Sequence, residues 1–245
     1  MNAALFTTQR LAALLLVAHL AGHGSAPSFQ AQAPSSVVRV VLVGDSTVTD
    51  DSGWGSGFRH LAKTGVEVVN TAANGRSSKS FIDEGLWAKA LETRGQYYLI
   101  QFGHNDEPGK GPERETDPKT TYRAFMARYV DEARAIGAKP VLITSLVRRL
   151  FKEDGTIRTT QTAYVEAVRA LAAEKRVPLV DLHAISLADA ENAGDEVWAD
   201  LSPRDDKEQI DRTHLNAKGS EVVGRMVVEA LVKAVPELAP LFNVQ

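Results

Sequence analysis

The chain has 245 residues, of which 44% are hydrophobic and 24% charged, and a formal net charge of −3. Those are the values of a globular domain of ordinary size, and they exclude disordered, collagen-like and coiled-coil classes. The slightly acidic balance argues against a nucleic-acid partner, and the lack of any cysteine removes disulfides, thiolate catalysis and Cys-based metal sites together.

The first segment has the layout of a secretory leader. Arg10 precedes the apolar run Leu11–Ala21, which is too short to span a bilayer, and small residues follow. Ala31-Gln32-Ala33 is the best A-x-A cleavage match, with Gly24-Ser25-Ala26 a second choice. Residues 1–33 are therefore expected to be a signal peptide, and residues 34–245 a single secreted or periplasmic domain with no membrane partner after cleavage.

Beyond the leader, two periods alternate. Short β-branched runs at Val37–Val43, Val66–Asn70, Tyr97–Phe102, Pro140–Thr144 and Pro178–Leu182 suit strands covered on both faces. Helical spacing runs through Thr121–Ile136, Thr160–Lys175 and Asn216–Val235. Asn216 is the expected N-cap of that last helix, and Pro236 its stop. Asp106–Lys119 is a long polar loop. Strand–helix alternation predicts an α/β fold: a three-layer doubly wound (flavodoxin-like) sandwich with a parallel sheet of about five strands.

In such a sheet, ligands bind beyond the carboxyl ends of the strands, so the residues that follow each strand are the ones to read. The first is followed by Gly44-Asp45-Ser46-Thr47 and the second by the stretch from Asn70 to Ser78. The third leads into Gly103-His104-Asn105-Asp106, and Asp211-Arg212-Thr213-His214 stands just before the last helix. These clusters contain the parts that acyl transfer needs. Ser46 offers a hydroxyl that becomes nucleophilic only when a base takes its proton, and His214 is the candidate base. Asp211, three residues earlier on one short loop, would meet Nδ1 of the imidazole and leave Nε2 facing the serine. The N–H groups of Ser46 and Gly75 and the side-chain amide of Asn105 could hold an oxyanion.

With these motifs in order, the chain resembles the SGNH (GDSL-type) hydrolases, whose name lists the Ser, Gly, Asn and His matched here by Ser46, Gly75, Asn105 and His214. The Asp three residues before the His completes that family's triad and matches Asp211. A closer likeness is to the rhamnogalacturonan acetylesterase-like carbohydrate esterases, through GDSTV (44–48), Trp54-Gly55, NTAANGRSSKSF (70–81), QFGHND (101–106) and RRLFKEDGTI (148–157). The likeness runs from about residue 38 to 235. It implies a secreted serine esterase that removes O-acetyl groups from plant cell-wall polysaccharide of the rhamnogalacturonan or pectin type. An acyl-serine intermediate would form, with no metal or organic cofactor. Acetylated xylan or a small acetylated sugar is the alternative substrate.

Each residue also has a plainer use. Ser46 would cap a helix, Gly75 permit a turn, Asn105 close an Asx-turn and His214 sit on the surface. Only their joint, ordered occurrence at strand ends favours catalysis. Asp45 reads as a structural hydrogen-bonder. Trp54, Arg76, His104 and Trp198 are candidate substrate contacts, with Trp198 first because it lies in an acidic, loop-like stretch. Arg148 and Arg149 are candidates to face a uronate carboxylate. Two other classes compete: a metal phosphoesterase built on Asp45, Asp181-x-His183 and His104, and a sugar-binding module without chemistry. The first lacks the expected order of ligands, and the second does not explain a full triad.

Overall fold

The computed structural model describes residues 37–244, and the expected leader lies outside them. β-Branched runs form five strands: β1 Val38–Gly44, β2 Val66–Asn70, β3 Tyr97–Gln101, β4 Lys139–Ile143 and β5 Leu179–Val180. All pair in parallel in the order β2-β1-β3-β4-β5, the doubly wound order in which the chain reverses direction between β1 and β3. The flavodoxin-like expectation holds. β5 is the one strand much shorter than expected, because Asp181 already caps the helix that follows it.

Alternate residues of each strand face opposite layers. Val40, Leu42, Leu99, Val141 and Ile143 belong to one buried cluster, and Val41, Val43, Tyr98, Ile100 and Leu142 to the other. The first layer is built on α1 Gly55–His60 and α8 Ala217–Ala234. The second contains α2 Ser80–Asp83, α3 Leu86–Glu92, α4 Thr121–Ala135 and α5 Thr162–Lys175. Between β5 and α8 run α6 Leu182–Ala193 and α7 Asp195–Asp200.

α8 starts where its sequence asks it to. The Asn216 side chain accepts the Gly219 N–H at 2.9 Å, and Pro236 opens a 3-10 turn directly afterwards. Its buried stripe is Val223, Val227, Val228 and Leu231, each contributing about 1.5–3 kcal/mol by leaving water. The glycines decide how close α8 comes to α1. A Cβ on Gly57 would sit 2.0 Å from the Ser220 carbonyl oxygen, and one on Gly224 2.4 Å from the Phe58 nitrogen. Because α1 begins nine residues after Ser46, this contact fixes the ground on which the serine's turn rests.

Candidate active site

Ser46 lies in the turn that leaves β1, and the residues around it explain why that turn is rigid. The Asp45 carboxylate accepts the Thr47 N–H at 2.9 Å and the Thr47 hydroxyl at 2.7 Å through one oxygen. Gln101, at the end of β3, donates to that same hydroxyl at 2.7 Å and accepts the Trp54 indole N–H at 3.0 Å. The Ser46 carbonyl in turn accepts the hydroxyls of Thr49 and Ser52 at 2.8 and 3.2 Å. Asp45 is wholly buried. Burial pushes its carboxyl up, but its interaction with the adjacent His104 ring and the Thr47 bonds outweigh that and hold it below the usual range.

The loop 211–214 comes from the far end of the sequence and meets this turn, tied by the Leu215 N–H to the Ser52 carbonyl at 2.9 Å. His214 Nε2 stands 2.8 Å from Ser46 Oγ, and His214 Nδ1 stands 2.7 Å from Asp211 Oδ2. The other carboxylate oxygen of Asp211 accepts the N–H groups of Thr213 and His214 at 2.7 and 3.0 Å. The hydrogen bond from His214 and those two N–H groups outweigh partial burial and hold the Asp211 carboxyl far below its ordinary range. Asp211 is therefore a fixed negative charge at any pH where an imidazole changes its protonation.

Gly75 sits at φ +75° with open space where a Cβ would go, so the turn after β2 requires glycine for its backbone and not for clearance. The N–H groups of Ser46 and Gly75 have no backbone acceptor among the described residues. Asn105 follows β3, nearly buried, and one amide hydrogen goes to the Arg76 carbonyl at 3.1 Å. That bond crosses 29 residues of sequence, and the Asn105 Oδ1 accepts no hydrogen bond among the described residues, so Asn105 does not close a local Asx-turn. It holds its amide against the Gly75 loop with a second hydrogen still to give.

Ser46, His214, Gly75 and Asn105 line one open cleft of about 640 Å³. Asn74, Ser52, Thr213 and Leu150 add to its walls, as do two cations, Lys110 and Arg148. Among the described residues, no carboxylate lines the cleft. The sequence reading did not single out Lys110. The signal was its place in the Asp106–Lys119 loop, directly after a strand-end motif.

The expected sugar-stacking aromatics are a correction. Trp54 and Trp198 have no exposed surface. Trp54 is the strut behind the serine turn described above. Trp198 lies in α7, not in a loop, with its indole N–H donated to Asp189 at 3.0 Å. Both are core residues, as large aromatics usually are. Arg76 is also corrected: its guanidinium turns onto Glu84 at 2.9 Å and the Asn74 carbonyl at 2.8 Å, and it is absent from the cleft wall. His104 does border the cleft, yet its ring is 2% exposed, with Nδ1 3.4 Å from the Asp45 carboxylate and both ring nitrogens buried. It packs beneath the site and offers no nitrogen to it. Arg149, expected near a uronate, is fully buried instead.

Of the residues of the competing phosphoesterase, Asp181 caps α6 and is taken up by Arg169 and Thr144 at 2.9 Å each, while His183 rests its Nδ1 3.2 Å from the Ser145 carbonyl. The two are occupied in structure, away from the serine cleft.

Asn105→Ala is expected to lower kcat by roughly 10²–10³ with KM nearly constant, the usual effect of removing one preorganised oxyanion donor. The lost bond to Arg76 should also lower Tm modestly. Steady-state kinetics and a thermal melt on the same preparation separate the two effects. A variant that is less stable but fully active per folded molecule sinks the oxyanion role.

Comparison with known proteins adds the following. Residues 42–222 match the model of the GDSL-like lipase/acylhydrolase family. The rhamnogalacturonan acetylesterase RhgT of Bacillus subtilis is 39% identical over 211 residues, covering 79% of this chain and 89% of the relative. A rhamnogalacturonan acetylesterase of Emericella nidulans is 31% identical, covering 81% of this chain and 87% of its own length. Among solved structures, YxiM of Bacillus subtilis superposes with a TM-score of 0.69 at 25% identity, over 82% of this chain and 57% of that one. An acetyl-xylooligosaccharide esterase from Geobacillus superposes at 0.59 with 17% identity, over 81% of this chain and 94% of that one, which is a likeness of fold.

Proposed function

The chain belongs to the GDSL-like lipase/acylhydrolase family, and from that premise we propose a secreted serine esterase that removes O-acetyl groups from rhamnogalacturonan or another pectin-type cell-wall polysaccharide. It is a carbohydrate O-acetylesterase of the SGNH type. The observation that carries the mechanism is the unbroken line from Ser46 Oγ through the His214 ring to Asp211, with bonds of 2.8 and 2.7 Å, at the wall of an open cleft.

His214 Nε2 takes the Ser46 proton as Oγ attacks the acetyl carbonyl carbon. The carbonyl oxygen becomes an oxyanion and is met by the N–H groups of Ser46 and Gly75 and the Asn105 amide. Collapse breaks the bond to the sugar oxygen, which leaves as an alcohol with the proton from His214. Water then repeats the sequence on acetyl-Ser46, with His214 as base, and releases acetate. Every proton and charge in these steps has a named protein group, so the steps need no metal or organic cofactor.

Two features support an anionic polymer over a neutral one. Two of the relatives named above, those of Bacillus subtilis (RhgT) and Emericella nidulans, act by their names on rhamnogalacturonan. The cleft wall bears Lys110, together with Arg148 paired to Glu107 behind it, and no carboxylate among the described residues lines it, although the whole chain is net negative. Secretion rests on the sequence of residues 1–33.

Acetate release should be measured on acetylated rhamnogalacturonan, acetylated xylan and peracetylated small sugars. Rhamnogalacturonan should give the highest kcat/KM, by about tenfold or more, which corresponds to about 1.4 kcal/mol of transition-state discrimination. Xylan ahead of rhamnogalacturonan would reassign the polymer and keep the mechanism. No acetate from any of them would end the esterase reading.

A further inference from the structure

Arg149 is wholly buried, and it has no carboxylate within ion-pair distance among the described residues. Burial is costly for a guanidinium and lowers this one to about 10, although the Asp211 charge nearby opposes the shift. The carbonyls that compensate are all on one loop. Nη1 donates to the Thr213 carbonyl at 3.1 Å, and Nη2 to the carbonyls of Asp211 and His214 at 3.0 and 2.5 Å. The main-chain N–H of Arg149 donates to the remaining carbonyl, that of Arg212, at 2.9 Å. Four consecutive carbonyls, 211 to 214, are thus taken by a single residue. The Ser202 hydroxyl, bonded at 2.9 Å, and the Trp198 ring, 5.6 Å below the guanidinium, hold the head in place.

We infer that Arg149 is a positioning residue for the acid–base pair: its side chain is the template on which the loop carrying Asp211 and His214 is folded. This rests on the esterase reading of the same site. The logic is geometric. The loop has no helix or strand to orient its peptides, so something else must. With the carbonyls drawn inward to Arg149, the N–H groups of Thr213 and His214 are left to converge on Asp211 Oδ1. That clamp fixes the carboxylate plane, so that Oδ2 meets His214 Nδ1 and the opposite ring nitrogen faces Ser46. Carbonyls suit the task where a carboxylate would not, because a second acid beside the loop would compete with Asp211 for the imidazole. A lysine would keep the charge but offers one compact ammonium, which cannot reach across the same set of carbonyls.

The test compares Arg149→Met and Arg149→Lys with wild type and with Ser46→Ala on an aryl acetate. Kinetics are read per folded molecule, alongside the downfield proton NMR signal of the His214 Nδ1–Asp211 hydrogen bond. Both Arg149 variants should lose kcat by about 10²-fold, the scale of a misplaced catalytic group, with KM within about twofold. The downfield signal should weaken or vanish in both. A wild-type kcat in Arg149→Lys means charge alone suffices and overturns the template. A lower Tm with kcat and the NMR signal intact means an ordinary core residue and overturns it as well. Should Arg149→Met not fold, the same two readouts on Arg149→Lys decide. An active Ser46→Ala would instead refute the underlying esterase reading, so the two failures are told apart.

Discussion

Ser46→Ala should lower kcat on an aryl acetate by on the order of 10⁶, leaving the little that bound substrate and oxyanion donors supply by themselves. The substitution removes one oxygen whose only hydrogen-bond partner among the described residues is His214 Nε2, so the hydroxyl's loss breaks no buried structural bond. The turn that carries it is held by Asp45, Thr47, Thr49 and Ser52, none of which bonds to that oxygen. Stability should therefore stay within about 0.5 kcal/mol of wild type, as for a substitution that breaks no buried network. A melt and a steady-state assay read both quantities. Because the serine and histidine act as one unit, adding His214→Ala to Ser46→Ala should cost almost nothing further. A Ser46→Ala enzyme with wild-type kcat places the nucleophile elsewhere.

The site was legible in the sequence because its parts stand directly after strands, where the backbone leaves the sheet and side chains have room. Ser46, Asn105 and Gly75 follow β1, β3 and β2, and the strand runs that announce them are β-branched and nearly continuous. The expected ends of β1 to β4 fall within a residue of those observed. The long helices α4, α5 and α8 showed their 3.6-residue period for the same reason: each buries one stripe against a sheet layer. α1, α2, α3 and α7 have four to seven residues, too few to show a period. α7 is the instructive case. Asp195, Glu196 and Asp200 make its segment look solvent-facing, while Trp198 between them points wholly inward. A local charge count cannot reveal which way one side chain of a short helix faces.

The same limit applies to the arginines. Arg148 and Arg149 are adjacent, on one segment after β4, and only tertiary structure separates them. Arg148 meets the Glu107 carboxylate at 2.5 Å and the His104 carbonyl at 3.0 Å, and reaches the cleft; Arg149 turns inward to the 211–214 loop. Two neighbouring side chains thus brace the segments that hold the oxyanion amide and the acid–base pair. No pattern in one sequence distinguishes such a brace from a pair of solvated cations.

Asp211→Asn should cut kcat by about 10⁴-fold while leaving KM close to wild type. The isosteric amide can keep the clamp, because its Oδ1 still accepts the N–H groups of Thr213 and His214. What changes is the atom facing the ring. Where Oδ2 accepted from His214 Nδ1 at 2.7 Å, an NH₂ now donates, so Nδ1 must become the acceptor and Nε2 must carry the proton. An imidazole in that tautomer has no lone pair for the Ser46 proton, and the negative charge that steadied the imidazolium is gone as well. The pH dependence separates this account from a loss of stability. In wild type the His214 bond and the two N–H groups hold the Asp211 carboxyl far below its ordinary range, so its proton is absent wherever the imidazole titrates. A lowered folded-state value stabilises the fold above the ordinary carboxylate range, and that contribution is lost as pH falls through and below it. Asp211→Asn should accordingly flatten the acid-side fall in Tm while its kcat stays low at neutral pH, where the fold is intact. An Asp211→Asn enzyme as fast as wild type at neutral pH would remove Asp211 from the mechanism and leave His214 to orient itself.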